Sequence, residues 1–299
     1  MPTTRYVRAL LLIAMMSAAC IAEPIERSPL NTYPPIDGST NPSVIPNPTT
    51  SVPPERVEVI TLARDQTLAG SIRYDVYGPE QGTELPVVVI VHDLDGAEQA
   101  TELGRALATE NIVIIPRYDS PIRGGRFPDP LSAASCALAL ASDAAAFGGD
   151  PEQVKVIGAG FGALAAFIVL TTDDLYRPTS CEYTGSVRPA RLMAIGGTWS
   201  PSQLAADAFD AMNVFMGGTA EQAPATWELL NPDQYVDRPP FEITLLQGDS
   251  DPNPEVTDGF AAQLREAGWP VVAGIIRQNS SRSALTNATD EIAGYLDRR

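Results

Sequence analysis

The sequence predicts an α/β domain built on a mostly parallel sheet with helices on both faces. The apolar runs Pro86–Val91 and Ile112–Pro116 are rich in β-branched residues, which is typical of strands buried on both faces. Such runs alternate with helical segments through the second half of the chain, as in parallel sheets joined by crossover helices. No internal repeat is visible. The roughly 245 residues that follow the predicted signal and linker suffice for one large domain, or at most two small ones.

The elements follow one another along residues 55–299. Short apolar or alternating runs predict these strands: Arg56–Ala63, Ile72–Gly78, Pro86–Val91, Ile112–Pro116, Gln153–Ile157, Leu192–Ile195, Phe241–Leu246 and Val271–Ile276. Helical spacing predicts these helices: Glu98–Glu110, Pro130–Phe147, Phe161–Thr171, Val256–Ala267 and Ala284–Leu296. An irregular, partly helical excursion is expected over Pro201–Asp237. Sites in open sheets of this kind lie at the carboxyl ends of the strands.

The composition excludes several functions. The chain has 299 residues, with 20 basic and 37 acidic side chains and a formal charge of −17. This charge argues against a nucleic-acid partner. Because His92 is the only histidine, mechanisms and metal sites that need two histidines are excluded. No cofactor is predicted.

Residues 1–19 have the features of an export signal. Arg5 and Arg8 precede the apolar run Ala9–Met16, which is too short to span a bilayer. Small residues then lead to Cys20, and this arrangement resembles a bacterial lipobox. The resemblance implies that Cys20 is acylated and anchors an extracytoplasmic domain to the membrane. The alternative is ordinary signal cleavage before Cys20.

Residues 20–54 are predicted to form a linker. Nine prolines lie between Pro24 and Pro54, among many Ser, Thr and Asn residues. Such a segment favours extended conformations and cannot bury enough apolar surface to fold. It is expected to be a spacer behind the anchor, or otherwise a cleavable or floppy tail.

Two cysteines remain in the predicted domain. Export would place Cys136 and Cys181 in a compartment that permits disulfides. They are expected to pair, and the alternative is two separate buried thiols.

Three segments resemble the esterase and lipase branch of the α/β-hydrolase fold. Gly148–Ala163 is similar to the turn, strand and nucleophile elbow of that family. Val91–Gly96 is similar to its oxyanion loop, and Gln247–Pro252 to the loop that carries its catalytic acid. The resemblance covers residues 56–299 and implies a three-layer α/β-hydrolase fold.

The catalytic positions depart from the family pattern. The elbow reads Gly-Ala-Gly-Phe-Gly, so Gly160 stands where the family has its nucleophilic serine. No histidine follows the last strand, and Ser281 or Arg282 lies at that position. Asp251 matches the family's acid. Without a histidine to orient, its alternative role is that of a turn residue ahead of a helix.

The oxyanion loop is altered too. Asp93 replaces the glycine that the family favours, and a carboxylate there would repel a developing oxyanion. His92 matches a position that is structural in the family. A binding cleft involving His92, Asp93, Gly96, Gly160 and Phe161 is expected at this edge of the sheet.

These features predict a catalytically inactive, esterase-like lipoprotein that binds a ligand in the degenerate cleft or presents a surface. One alternative is an active carboxylic-ester hydrolase with an atypical arrangement that uses Thr198 or Ser200. Another is a Ca²⁺ or Mg²⁺ site, for which the candidate ligands are Asp93, Asp95, Asp249 and Asp251.

Overall fold

The computed structural model describes residues 58–70, 72–189, 191–199, 206–251 and 254–297, so the predicted signal segment and linker lie outside the described residues. Within these ranges the strands are β1 (Val59–Ala69), β2 (Ile72–Pro79), β3 (Leu85–Val91), β4 (Ile112–Arg117), β5 (Gly149–Ala159), β6 (Arg191–Ile195), β7 (Glu242–Gly248) and β8 (Val271–Ile276). They form one sheet in the order β1-β2-β4-β3-β5-β6-β7-β8. The β1–β2 and β2–β4 pairs are antiparallel, and all other pairs are parallel.

The helices cover both faces of the sheet. They are α1 (Ala97–Leu107), α2 (Asp129–Ala141), α3 (Phe161–Thr171), α4 (Ala206–Met216), α5 (Pro224–Glu228), α6 (Pro254–Glu266), α7 (Ser281–Asn287) and α8 (Thr289–Leu296). One hydrophobic core joins the sheet to α2, α3 and α6, and a second core joins its other face to α1, α7 and α8. The predicted three-layer α/β architecture is therefore confirmed. None of the helices in the described residues is long and apolar enough to cross a membrane.

Some predicted boundaries were wrong. The helix expected over Ala284–Leu296 is two helices, because Ala288 (φ −123°, ψ 32°) leaves the helical conformation between them. The helix expected over Pro130–Phe147 ends at Ala141, and a separate 3₁₀ turn follows over Ala144–Phe147. There Ser142 donates both its N–H and its hydroxyl to the Ala139 carbonyl, which ends α2 locally.

Cys136 and Cys181 form a disulfide, with their Cα atoms 5.9 Å apart. Cys136 is fully buried in α2. Cys181 lies between α3 and β6 and makes an isolated antiparallel bridge with Ala69 at the end of β1. The bond therefore ties this connection to the core, and the expected pairing is present in the structure.

Candidate active-site cleft

A cleft of about 320 Å³ opens at the carboxyl edge of the sheet. Its lining comes from the segments after β3, β5, β6, β7 and β8 and from the first turns of α1 and α6. Chain segments that follow parallel strands meet at one edge of such a sheet. The cleft therefore lies at the edge where sites are expected in a parallel sheet.

The sharp turn between β5 and α3 is retained without a nucleophile. Gly160 sits at its tip with φ 55° and ψ −125°, a conformation that only glycine adopts without strain. A Cβ added at Gly158 or Gly162 would lie under 3.0 Å from neighbouring backbone atoms. The glycines of this segment thus keep the geometry of an elbow that carries no reactive side chain.

The Asp93 carboxylate fills the space in front of this turn. Its Oδ1 accepts the backbone N–H groups of Phe161 and Leu94, each at 2.9 Å. In α/β-hydrolases the oxyanion hole consists of the N–H after the nucleophile and an N–H from the loop after β3. Phe161 and Leu94 correspond to those two donors, so a side chain of the protein itself occupies the hole.

The same carboxylate excludes a side chain at the elbow. A Cβ added at Gly160 would lie 2.5 and 2.6 Å from the Asp93 carboxylate oxygens. Burial raises the pKa of the Asp93 carboxyl, with a smaller contribution from Asp95, while the two N–H donors and Arg282 act in the opposite direction. The carboxylate is thus held by backbone donors rather than by an ion pair.

Asp251 contacts Ser281, not Arg282. Its oxygens accept the backbone N–H of Ser281 at 2.9 Å and of Gly248 at 3.0 Å, and they also accept the Ser281 hydroxyl. The Gln247 amide donates to Asp251 as well, at 2.5 Å. The candidate acid therefore joins the segments that follow β7 and β8.

Arg282 lies at the rim of the cleft. Its guanidinium is 3.2 Å from the Asp95 carboxylate, and both side chains are more than half exposed. Ser281, at the start of α7, therefore stands where the family's acid would meet its histidine.

His92 is buried behind the cleft. Its ring stacks on Tyr118, with 4.0 Å between the ring centroids, and Nδ1–H donates to the Asp93 carbonyl at 2.5 Å. Burial lowers the pKa of His92 to about 4, against the opposing effect of the hydrogen bond to the Asp93 carbonyl. The ring is therefore neutral at physiological pH, and it packs in the core rather than lining the cleft.

Some of the residues predicted for the cleft line it, and the side chains of others lie in the core. Asp93, Gly96 and Gly160 line it. The His92 and Phe161 side chains point into the core, and Phe161 packs edge-on against Phe215 with 5.6 Å between centroids. Phe161 contributes its backbone N–H to the site rather than its ring.

The acidic loops are each engaged with other partners. Asp95 pairs with Arg282, and Asp249 accepts the backbone N–H groups of Gln278 and Asn279 at 2.9 and 3.3 Å. The described residues contain no group of three or more His, Cys, Asp or Glu side chains that could hold a metal ion. Thr198 lines the cleft, whereas Ser200 lies outside the described residues.

Sequence reasoning missed the helical contributors to the cleft. Gln99 in α1 and Thr257 in α6 both line it, and the Thr257 hydroxyl donates to the Gln247 amide oxygen at 2.5 Å. Each lies in the first turn of a helix that follows a site loop. That position is the signal that could have identified them.

The sheet order, the elbow turn and the loops that converge on it define an α/β-hydrolase fold of the kind found in esterases. No protein-family model matches the sequence, and no curated protein matches it. The structure is similar to esterase B from Lactobacillus rhamnosis (HN001), with a TM-score of 0.64 and 16% identity over 82% of this chain and 86% of that one. It is also similar to Thermogutta terrifontis esterase 2, with a TM-score of 0.60 and 14% identity over 81% of this chain and 97% of that one.

A third similar structure is the bifunctional GH43-CE protein of Bacteroides eggerthii. Its TM-score is 0.61 and its identity 17%, over 75% of this chain and 35% of that one. At these identities the likeness establishes a shared fold only. Any activity of this chain has to be argued from the residues of its cleft.

Proposed function

We propose that this chain is a non-catalytic α/β-hydrolase-fold protein that uses its cleft for binding rather than for ester hydrolysis. The observation that carries the proposal is the Asp93 carboxylate, which occupies the oxyanion hole and the space that a nucleophile at Gly160 would need. A transition-state oxyanion would have to displace an anionic oxygen from its two donors.

The remaining catalytic groups support the same conclusion. Gly160 offers no nucleophile, and His92 is buried in the core with its ring neutral. Asp251 binds Ser281, which cannot act as a general base. Loss of the nucleophile or the base alone costs about 10⁶ in rate in a serine protease, and loss of one oxyanion donor about 10²–10³.

The proposal also holds that the domain is exported and lipid-anchored through Cys20. The support is the sequence of residues 1–54, with its short apolar run, its small residues before Cys20 and its proline-rich spacer. The Cys136–Cys181 disulfide is compatible with this location, because such bonds persist in oxidising compartments.

The test is reaction of the full chain, purified in detergent, with a fluorophosphonate probe and with short-chain aryl esters. We expect no labelling and no hydrolysis above the rate in buffer. Thr198→Ala is the matched control, because Thr198 is a hydroxyl residue that lines the cleft. Stoichiometric labelling of the wild type would overturn the proposal. Its loss in Thr198→Ala would identify an atypical hydrolase.

A further inference from the structure

Among the described residues that line the cleft, one carboxylate oxygen, Asp93 Oδ2, accepts no hydrogen bond. Asp93 Oδ1 accepts two backbone N–H groups, whereas no described residue donates a hydrogen bond to Oδ2. Asp93 is half-buried and lines the cleft. Oδ2 is therefore a fixed acceptor that can receive a donor from a ligand.

The positive charge near this oxygen lies at the rim. Among the described residues that line the cleft, Arg282 is the one cation, and it is paired with Asp95. The other lining carboxylate, Asp251, is satisfied by Gly248, Gln247 and Ser281. The interior of the cleft is therefore electronegative, within a chain whose net charge of −17 attracts cations.

The walls near the carboxylate include apolar side chains. Ile195, Val256 and Leu285 line the cleft, together with the glycine surfaces of Gly196 and Gly197. The volume of about 320 Å³ is at the small end of the range for ligand pockets. Such a site suits a ligand with one charged donor group and a short apolar body.

We propose that the cleft binds a small organic cation, a primary ammonium with a short alkyl group, whose N–H is donated to Asp93 Oδ2. The alkyl group lies along the apolar walls. This inference rests on the proposed function, because the carboxylate that blocks the two backbone N–H donors is also the acceptor that the cleft offers to a ligand.

The experiment is calorimetric titration of the full chain in detergent at pH 8 with n-butylammonium, n-butanol and butyrate at constant ionic strength. We expect n-butylammonium to bind with a dissociation constant on the order of 1 mM and the two other compounds to bind at least tenfold more weakly. Comparable binding of butanol, or no binding of butylammonium, would overturn the proposal.

Three variants test the role of the carboxylate. Asp93→Asn keeps the shape and should weaken butylammonium binding about 10- to 100-fold, the range for loss of a charged hydrogen bond. Asp249→Asn, which changes a carboxylate outside the cleft lining, should leave binding unchanged. Arg282→Gln removes the rim cation and should tighten binding about two- to fivefold.

These outcomes separate the two proposals. If butylammonium binds Asp93→Asn with the same dissociation constant as the wild type, the assigned contact with Asp93 is wrong. If Asp93→Asn does not fold, Arg282→Gln decides, and unchanged or weaker binding there counts against the inference. Fluorophosphonate labelling of the wild type refutes the proposed function. An unlabelled protein that binds no amine refutes only the ligand.

Discussion

Replacing Gly160 with serine should destabilise the protein rather than restore an enzyme. The elbow holds residue 160 at φ 55° and ψ −125°, and a non-glycine residue in so sparsely populated a region costs about 1–3 kcal/mol. The added Cβ also collides with the Asp93 carboxylate. Asp93 then either moves aside and loses its hydrogen bonds from Phe161 and Leu94, or stays and leaves the site overpacked. Either outcome costs about 1–3 kcal/mol.

The expected cost of Gly160→Ser is therefore about 2–6 kcal/mol in the free energy of unfolding. Urea unfolding followed by circular dichroism measures it. Gly124→Ser is the matched control, because Gly124 also has a positive φ (97°) but open space where a Cβ would lie. Gly124→Ser should lower the free energy of unfolding only by the cost of its backbone strain.

A double-mutant cycle with Asp93→Gly isolates the collision. Removing the carboxylate should make Gly160→Ser less costly by about 1–3 kcal/mol. If Gly160→Ser costs no more than Gly124→Ser and the coupling with Asp93→Gly is zero, the carboxylate does not occupy the nucleophile's space and the reasoning fails.

Three further predictions concern other parts of the chain. Folded His92 stays neutral down to a pKa of about 4, whereas the unfolded histidine takes up a proton near pH 6.5. The contribution of His92 to the free energy of unfolding is therefore constant above pH 6.5 and falls by roughly 3 kcal/mol as the pH drops to 4. Urea unfolding measured at a series of pH values should show this decrease in the wild type, and the decrease should be smaller in His92→Gln. Replacing Cys136 and Cys181 by alanine should cost about 4 kcal/mol, the loop entropy for a separation of 45 residues, and an unchanged urea midpoint would contradict this. In a bacterial host, Cys20→Ala should move the protein from the membrane to the soluble fraction and abolish fatty-acid labelling, whereas identical fractionation without label in either form would indicate ordinary signal cleavage.

The fold was predictable because each central strand corresponds to a short apolar run in the sequence. The runs that became β3 and β4 are continuously apolar, and burial on both faces demands such runs. The elbow was recognisable from the glycines around Gly160, whose positions the backbone packing requires. Helix ends were less predictable, since the break at Ala288 has no proline or glycine to mark it.

The site was predictable in its positions but not in its contacts. The sequence indicated that Asp93 would disfavour an oxyanion. Its insertion between Leu94 and Phe161 depends on how the loop after β3 places the side chain, and no periodicity encodes that. The choice between Ser281 and Arg282 opposite Asp251 depended on the start of α7, and helix boundaries are uncertain by one or two residues.

The collision between residues 93 and 160 also bears on the history of such a chain. In a descendant of a serine enzyme, aspartate at position 93 and serine at position 160 would compete for one space. A lineage that acquired the aspartate first would pass through a strained intermediate, whereas one that lost the serine first would meet no such barrier. In such a lineage, loss of the serine at position 160 would remove the obstacle to aspartate at position 93. Once the aspartate is present, a return to serine at position 160 would be destabilising.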